Sequence, residues 1–130
     1  MALDLLVRGA SHRGRVRARN EDTWGVSPER NSVIVADGMG GPPGGDEASH
    51  LAVDAVRRHL EEHSGSPDSP GAWGETIRNA VASAHTAIRR HVSTEPSLEG
   101  MGTTLTVATL IPPDALVVAH VGDSRCYRLR

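Results

Sequence analysis

The 130-residue sequence contains no phenylalanine and no lysine, only one cysteine, and 2% aromatic residues. A single cysteine, Cys126, excludes a disulfide framework or a cysteine-based zinc site within one chain. With so few aromatic residues, the core has to be filled by valine, isoleucine, leucine and alanine. We interpret Cys126 as a buried free thiol, which is typical of proteins in a reducing compartment.

Strong charge and long apolar runs are also missing. The net charge is -2, which argues against nucleic acid as a main partner. No stretch approaches the length of a membrane span, so we expect no membrane association. The apolar run near the N-terminus is short and broken by Asp4, which does not fit a signal peptide. We therefore expect a cytoplasmic protein whose 130 residues form one domain.

The apolar pattern predicts an α+β protein in which strands precede and follow two long helices. A continuous β-branched run at 32–36 indicates a buried strand. Amphipathic helices are predicted over 46–62, with Asp46 as N-cap and Gly65 as the stop, and over 73–92. Further strands are predicted at 3–7, 23–26, 103–111, 115–121 and 126–129, with a hairpin turn at 112–114.

Asp37 ends the apolar strand and is followed by glycine. A carboxylate at the end of a buried strand costs free energy unless it is paired or bound to a metal ion. The glycine after it, Gly38, lets the backbone approach closely, so that its carbonyl could become a ligand. An alternative is a strand that ends in a glycine turn, with Asp37 capping the bend.

Two other loops carry residues suited to metal or phosphate chemistry. Adjacent carboxylates at Glu21 and Asp22, five residues after Arg17, could bind a hydrated divalent cation and a phosphate together. A solvated surface loop is the alternative. Asp123 follows the apolar strand 115–121 in a Gly-Asp-Ser sequence, which could equally be an ordinary hairpin turn. The glycines near Thr104 are interpreted as structural.

In their order along the chain, these motifs resemble bacterial members of the protein phosphatase 2C family, the metal-dependent PPM serine/threonine phosphatases. The resemblance extends from 13 to 129, nearly the whole chain. Its motifs are Arg17…Asn20-Glu21-Asp22, Val35-Ala36-Asp37-Gly38-Met39-Gly40-Gly41, Gly45…Ala48-Ser49, Gly100-Met101-Gly102-Thr103-Thr104 and Val121-Gly122-Asp123-Ser124-Arg125.

The resemblance implies a four-layer α-β-β-α sandwich of antiparallel sheets, of which residues 1–130 would form the N-terminal part of a single incomplete domain. It implies that a complete site holds two or three manganese(II) or magnesium(II) ions. The implied roles are metal bridging by Asp37, metal ligation by the Gly38 carbonyl, binding of metal-bound waters by Glu21 and Asp22, a third and weaker metal position at Asp123, and phosphate binding by Arg17. Met39 stands where some eukaryotic members have a histidine proposed as general acid.

The implied reaction is hydrolysis of phosphoserine or phosphothreonine in proteins by a water that two metal ions activate. The implied partners are phosphorylated proteins, with a cognate protein kinase as a further candidate. Family members take two more metal-binding aspartates from their later half, whereas no acidic residue follows Asp123 here. We therefore expect the 130 residues alone to be inactive. The alternative is a truncated, non-catalytic module that binds a phosphopeptide or partner through Arg17 and the acidic loops.

Overall fold

The computed structural model describes residues 4–41, 44–63 and 67–130. Within them, strands precede and follow two long helices, so the predicted α+β order is confirmed. Short 3-10 turns lie at Pro28–Arg30 and Pro96–Leu98. The strands and helices are β1 (Asp22–Ser27), β2 (Ser32–Met39), α1 (Gly44–Glu62), α2 (Pro70–Thr94), β3 (Gly102–Thr103), β4 (Leu105–Ile111) and β5 (Ala115–Val121).

The described strands form one antiparallel sheet in the order β1-β2-β4-β5, with β3 paired to the end of β2. β2 is an inner strand that pairs with β1 on one side and with β4 on the other. Val35, for example, lies opposite Trp24 of β1 and Thr106 of β4. In the same register, Asp22 of β1 lies opposite Asp37 of β2. The topology thereby brings two acidic residues to one end of the sheet.

The two helices cover one face of this sheet. α1 packs on β1 and β2, and α2 packs on α1 and β5. Apolar residues spaced by three or four positions meet the sheet here, because that spacing places them on one side of a helix. Val56 and Ile77 are fully buried against Ile34 and Val107. This is one sheet layer and one helix layer of the expected sandwich. No helix among the described residues combines the length and apolar character that a membrane crossing needs.

Both helices begin earlier than predicted. α1 starts at Gly44, so Asp46 lies in its first turn and its prediction as the N-cap is wrong. α2 starts at Pro70, where the Ser69 hydroxyl accepts a hydrogen bond of 3.2 Å from the Ala72 amide. A proline fits this first helical position because its missing amide hydrogen has no helical partner. The predicted stop at Gly65 lies outside the described residues.

Three strand predictions need correction. The single strand at 103–111 is divided into β3 and β4 at Thr104, whose amide donates to the carbonyl of Asp37 over 2.9 Å. Residues 4–7 of the predicted first strand form no strand, and Leu3 lies outside the described residues. The segment 126–129 is irregular because it pairs with none of the described strands, and Cys126 is exposed rather than buried.

The face of the sheet away from the helices, which we call the outer face, exposes apolar side chains. Trp24 and Val35, which face each other across β1 and β2, are 44% and 47% exposed, and Val118 of β5 is 42% exposed. Side chains alternate between the two faces along a strand. Asp22 and Asp37 are each two residues from Trp24 or Val35, so they belong to the outer face as well.

Candidate metal and phosphate site

Asp37 lies near the end of β2, where three other strands approach it. Its backbone is held by Thr104: the Asp37 amide donates to the Thr104 hydroxyl over 3.0 Å, and the Thr104 amide donates to the Asp37 carbonyl over 2.9 Å. Asp22 lies directly opposite on β1, and its amide donates to the side-chain oxygen of Asn20 over 3.0 Å. Both carboxylates therefore project from fixed backbone positions.

The electrostatics around Asp37 favour a bound cation. Loss of solvation raises the pKa of Asp37 above its usual 3.8, and the hydrogen bond to Asp22 raises it further. Repulsion by the charges of Asp22 and Asp123 acts in the same direction, while Arg17 opposes it. A nearby like charge disfavours the ionised form of a carboxyl group. A divalent cation would relieve this repulsion.

Glu21 is placed by two glycines that allow the start of α1 to approach it. A Cβ on Gly38 would lie 1.9 Å from the carbonyl oxygen of Gly45, and a Cβ on Gly45 would lie 2.7–2.9 Å from the Glu21 carboxyl group. A side chain at Gly38 would therefore force the backbone to move, and one at Gly45 would displace the Glu21 carboxyl group. The Oε1 atom of Glu21 is buried and accepts no hydrogen bond from the described residues. A buried acceptor without a hydrogen bond costs free energy unless a ligand binds to it.

Asp123 reaches the site through the turn after β5. Gly122 has a φ of +100°, a conformation that glycine adopts readily. Its Cα lies against Thr104, where an added Cβ would come within 2.7 Å of the threonine side chain. The hydroxyls of Thr104 and Ser124 are hydrogen-bonded over 2.6 Å. These contacts hold the turn that carries Asp123 beside Asp37.

Two arginines of the loop before β1 lie over the carboxylates. Arg19 forms a salt bridge of 3.2 Å to Asp46 of α1, which anchors the loop. Arg17 forms no hydrogen bond or ion pair with the described residues, although its charge lowers the pKa of Asp37. A planar guanidinium in this position is suited to bind two oxygens of a phosphate.

Most of these groups line one cleft with a volume of about 460 Å³. Five of the six predicted site residues line it: Arg17, Glu21, Asp37, Gly38 and Asp123. The sixth, Asp22, lines an adjoining hollow of about 200 Å³ that shares Arg17, Glu21 and Asp37 with the cleft. The structure thus brings together residues that are more than a hundred positions apart in the sequence.

The donors of this site fit a hard divalent cation. Manganese and magnesium prefer oxygen ligands, and the cleft offers carboxylates of Glu21, Asp37 and Asp123, with Asp22 adjoining. The buried Oε1 of Glu21, which accepts no hydrogen bond from the described residues, and the raised pKa of Asp37 both indicate that negative charge is concentrated there. The metal-binding roles of these residues nevertheless remain predictions.

Sequence reasoning missed Thr104 as a member of the site. Thr104 is 3% exposed, lines the cleft, and bonds to both Asp37 and Ser124. Threonine in a β-branched run is expected from strand propensity alone, so its hydroxyl gives no separate signal. A glycine pair just before it, Gly100 and Gly102, was the available indication that the backbone is constrained there.

A family model described as Protein phosphatase 2C matches residues 8–130. The serine/threonine protein phosphatase PstP of Mycobacterium tuberculosis is 42% identical over 133 aligned residues, which cover 100% of this chain and 24% of PstP. The serine/threonine phosphatase stp of Listeria monocytogenes is 38% identical, over 91% of this chain and 47% of stp. The chain thus spans a quarter to a half of these relatives.

Solved structures of serine/threonine phosphatases are similar to this chain in fold. The crystal structure of the PstP catalytic domain in complex with two manganese ions is 37% identical to this chain, with a TM-score of 0.76. The match covers 89% of this chain and 47% of that domain. Serine/threonine phosphatase Stp1 from Staphylococcus aureus is 26% identical, also with a TM-score of 0.76, over 88% of this chain and 45% of that one. The arrangement of sheet and helices described above is therefore shared with these proteins.

Proposed function

Because this chain belongs to the protein phosphatase 2C family, we propose that it supplies part of an active site that hydrolyses phosphoserine and phosphothreonine in proteins. The observation that carries the proposal is the pair Asp22 and Asp37, which face each other at the end of the sheet with Arg17 beside them. An ordinary strand end would not concentrate like charges around a buried, unsatisfied carboxylate oxygen.

In this proposal Asp37 and the Gly38 carbonyl would hold manganese(II) or magnesium(II) directly. Glu21 and Asp22 would hold metal-bound waters, and Asp123 would contribute to a third and weaker position. The manganese complex of the PstP catalytic domain supports manganese as the metal to test first. When bound, the metal pair would supply an activated water and neutralise the phosphoryl oxygens.

Residues of this chain would also bind the substrate and position the metal ligands. Arg17 would bind the phosphate of the substrate with its guanidinium, aligning the phosphorus with the carboxylate cluster. Thr104 would fix the direction of Asp37, because it holds both the amide and the carbonyl of that residue. Met39 also lines the cleft, and its thioether is not an acid. No protonation of the leaving group is therefore assigned to that position.

We further propose that the active site is completed by a segment outside these 130 residues. The chain matches 47% of Listeria stp and of the PstP catalytic domain. Its outer face exposes Trp24, Val35 and Val118, a surface that a second sheet would cover. Phosphoproteins are the proposed substrates. A cognate kinase as counterpart and a cytoplasmic location are parts of the same proposal.

The proposal is tested by turnover of a phosphothreonine peptide by this chain together with the sequence that follows it in its reading frame. We expect activity only with added manganese or magnesium, and we expect Asp37→Ala to abolish it. The matched control is Asp114→Ala, because Asp114 lies in the β4–β5 turn at the other end of the sheet. Unchanged turnover in Asp37→Ala, or in the presence of a chelator, contradicts the proposal.

The same assay separates substrate binding from metal binding. Arg17→Ala should raise KM for the phosphopeptide without changing the manganese concentration at half activity. Arg15→Ala is its control, because Arg15 lies in the same loop and lines neither hollow. Peptide binding without hydrolysis would support the non-catalytic alternative instead.

A further inference from the structure

A second group of metal-binding side chains lies outside the cleft, where α1 begins and α2 ends. Glu47 is in the first turn of α1, His91 is in the last turn of α2, and Glu95 is the residue that follows α2. One ligand atom from each residue lies within 4.8 Å of the other two. We propose that these three residues bind a divalent transition-metal ion of the zinc class.

The backbone already places the three residues together. The Glu95 amide donates to the His91 carbonyl over 3.0 Å, which keeps Glu95 one helical turn beyond His91. On the other side, Ala48 is fully buried against Leu98 and Met101, and Val92 packs on the same cluster. Residues adjacent to Glu47 and His91 are thereby fixed, so an ion requires only side-chain rotations.

The distances between the ligand atoms suit a tetrahedral ion. The Nε2 atom of His91 lies 2.8 Å from the Oε2 atom of Glu47 and 3.9 Å from the Oε2 atom of Glu95. Ligands at about 2.0–2.1 Å from a tetrahedral zinc ion lie about 3.3 Å apart. The observed separations of 2.8 Å and 3.9 Å lie on either side of this value.

The charges favour a cation over a simple ion pair. Among the described residues, no arginine forms an ion pair with Glu47 or Glu95, so the two carboxylates share a single imidazole. A lone ion pair between His91 and Glu47 would leave Glu95 uncompensated. A divalent ion would be attracted by both carboxylates at once.

The donor set differs from that of the cleft. An imidazole nitrogen with two carboxylates suits zinc, whereas manganese and magnesium prefer the all-oxygen set around Asp37. Three protein ligands leave a fourth position for water. The side chains are 36%, 40% and 54% exposed for His91, Glu47 and Glu95, so an ion can reach them from solvent.

Binding here would stabilise the start of α1. A Cβ on the neighbouring Gly45 would meet the Glu21 carboxyl group, and Asp46 forms a salt bridge with Arg19. An ion that bridges Glu47 to the end of α2 binds the folded state only, so it raises the melting temperature. Occupancy would thus fix the helix turn that packs behind the cleft.

Zinc(II) titration of the 130-residue chain, followed by calorimetry and by the Tm, tests this site. We expect a zinc-dependent rise in Tm, and we expect His91→Ala and Glu95→Gln each to weaken zinc binding at least tenfold. His85→Ala is the matched control, because His85 is exposed on the same helix. Circular dichroism of each variant checks that α2 is retained, and Glu95→Gln tests the site if His91→Ala does not fold.

Asp37→Ala separates this inference from the proposed phosphatase function. It should leave the zinc-dependent rise in Tm intact, since Asp37 does not belong to the group. Zinc binding that is unchanged in His91→Ala, or that disappears in Asp37→Ala, would show that the ion is not held by this group and would overturn the inference. Absence of any heat or Tm change at millimolar zinc would overturn it as well.

Discussion

The two faces of the sheet differ although both carry apolar side chains. On the face covered by the helices, Ile34 and Val107 are 1% and 0% exposed. On the outer face, Trp24 and Val35 are 44% and 47% exposed, and the same face ends in the acidic pair Asp22 and Asp37. The covered face supplies most of the buried core, whereas the outer face combines half-exposed apolar surface with concentrated negative charge, which is the composition of a binding site.

The largest expected effect comes from deleting side-chain atoms on the covered face. Ile34→Ala should lower the free energy of unfolding by about 2–5 kcal/mol, because it removes buried methyl groups and leaves a cavity. Its matched control is the next residue, Val35→Ala, which truncates the outer face. We expect a loss below about 1 kcal/mol there. Urea denaturation measures both, and equal losses would show that the two faces do not differ in packing.

A second effect concerns association through the outer face. Exposed apolar surface of this kind promotes self-association, so we expect the 130-residue chain to form oligomers. Replacing both Trp24 and Val118 by serine should weaken association at least tenfold, about 1.4 kcal/mol. Leu129→Ser is the control, because Leu129 is 98% exposed but lies outside the sheet. Light scattering reports the size, and a monomeric unmodified chain would contradict this view of the outer face.

A smaller effect comes from the acidic end of the outer face. The pKa of Asp37 is raised, so its ionised form is disfavoured in the folded chain. The resulting penalty is absent at low pH and develops as the pH rises above 3.8 through the raised pKa. At pH 7 without metal, Asp37→Asn should therefore stabilise the fold by about 0.2–1 kcal/mol after solvent screening.

Thermal unfolding in a chelator measures this effect, with Asp114→Asn in the exposed β4–β5 turn as control. Destabilisation by Asp37→Asn would mean that the carboxylate is well satisfied without a cation. That result would remove the electrostatic argument for a metal site.

The smallest effect arises on the helix side. Burial lowers the pKa of His59, and the nearby His63 lowers it further, while Glu62 opposes the shift. The His59 imidazole is therefore protonated more readily in the unfolded chain than in the folded chain. Stability is consequently lost as the pH falls below 6.5. His59→Gln should reduce the loss of Tm between pH 7 and pH 5.5, and exposed His85→Gln should not. An equal loss of Tm in both variants would show that a group other than His59 causes the acid dependence.

Local patterns predicted most of the covered face and little of the site. The β-branched run at 32–36 and the apolar helix stripes were sufficient, because a periodic pattern directly determines which side is buried. The pattern did not predict that β2 continues to Met39, since Gly38 and Met39 pair with Thr103 and Gly102, more than sixty positions away. The predicted strand at 126–129 failed because strand formation requires a neighbour that the residue pattern does not specify.

The convergence of the acidic loops was suggested by family resemblance rather than by periodicity. Asp37 and Asp123 are each followed or preceded by glycine, and each alone suits an ordinary turn. Their proximity depends on the hydroxyl of Thr104, which links β2 to the turn after β5. Such non-local hydrogen bonds leave no periodic signal in the sequence.

The central claim is that the acidic end of the outer face binds a hard divalent cation. Manganese(II) added in small amounts to the isotopically labelled chain broadens the amide NMR signals of residues near the ion. The account predicts that broadening is strongest at Asp22, Asp37, Gly38 and Asp123, spares the β4–β5 turn, and is lost in Asp37→Asn. Uniform broadening, or signals at Asp37 that remain sharp while others broaden, would contradict it.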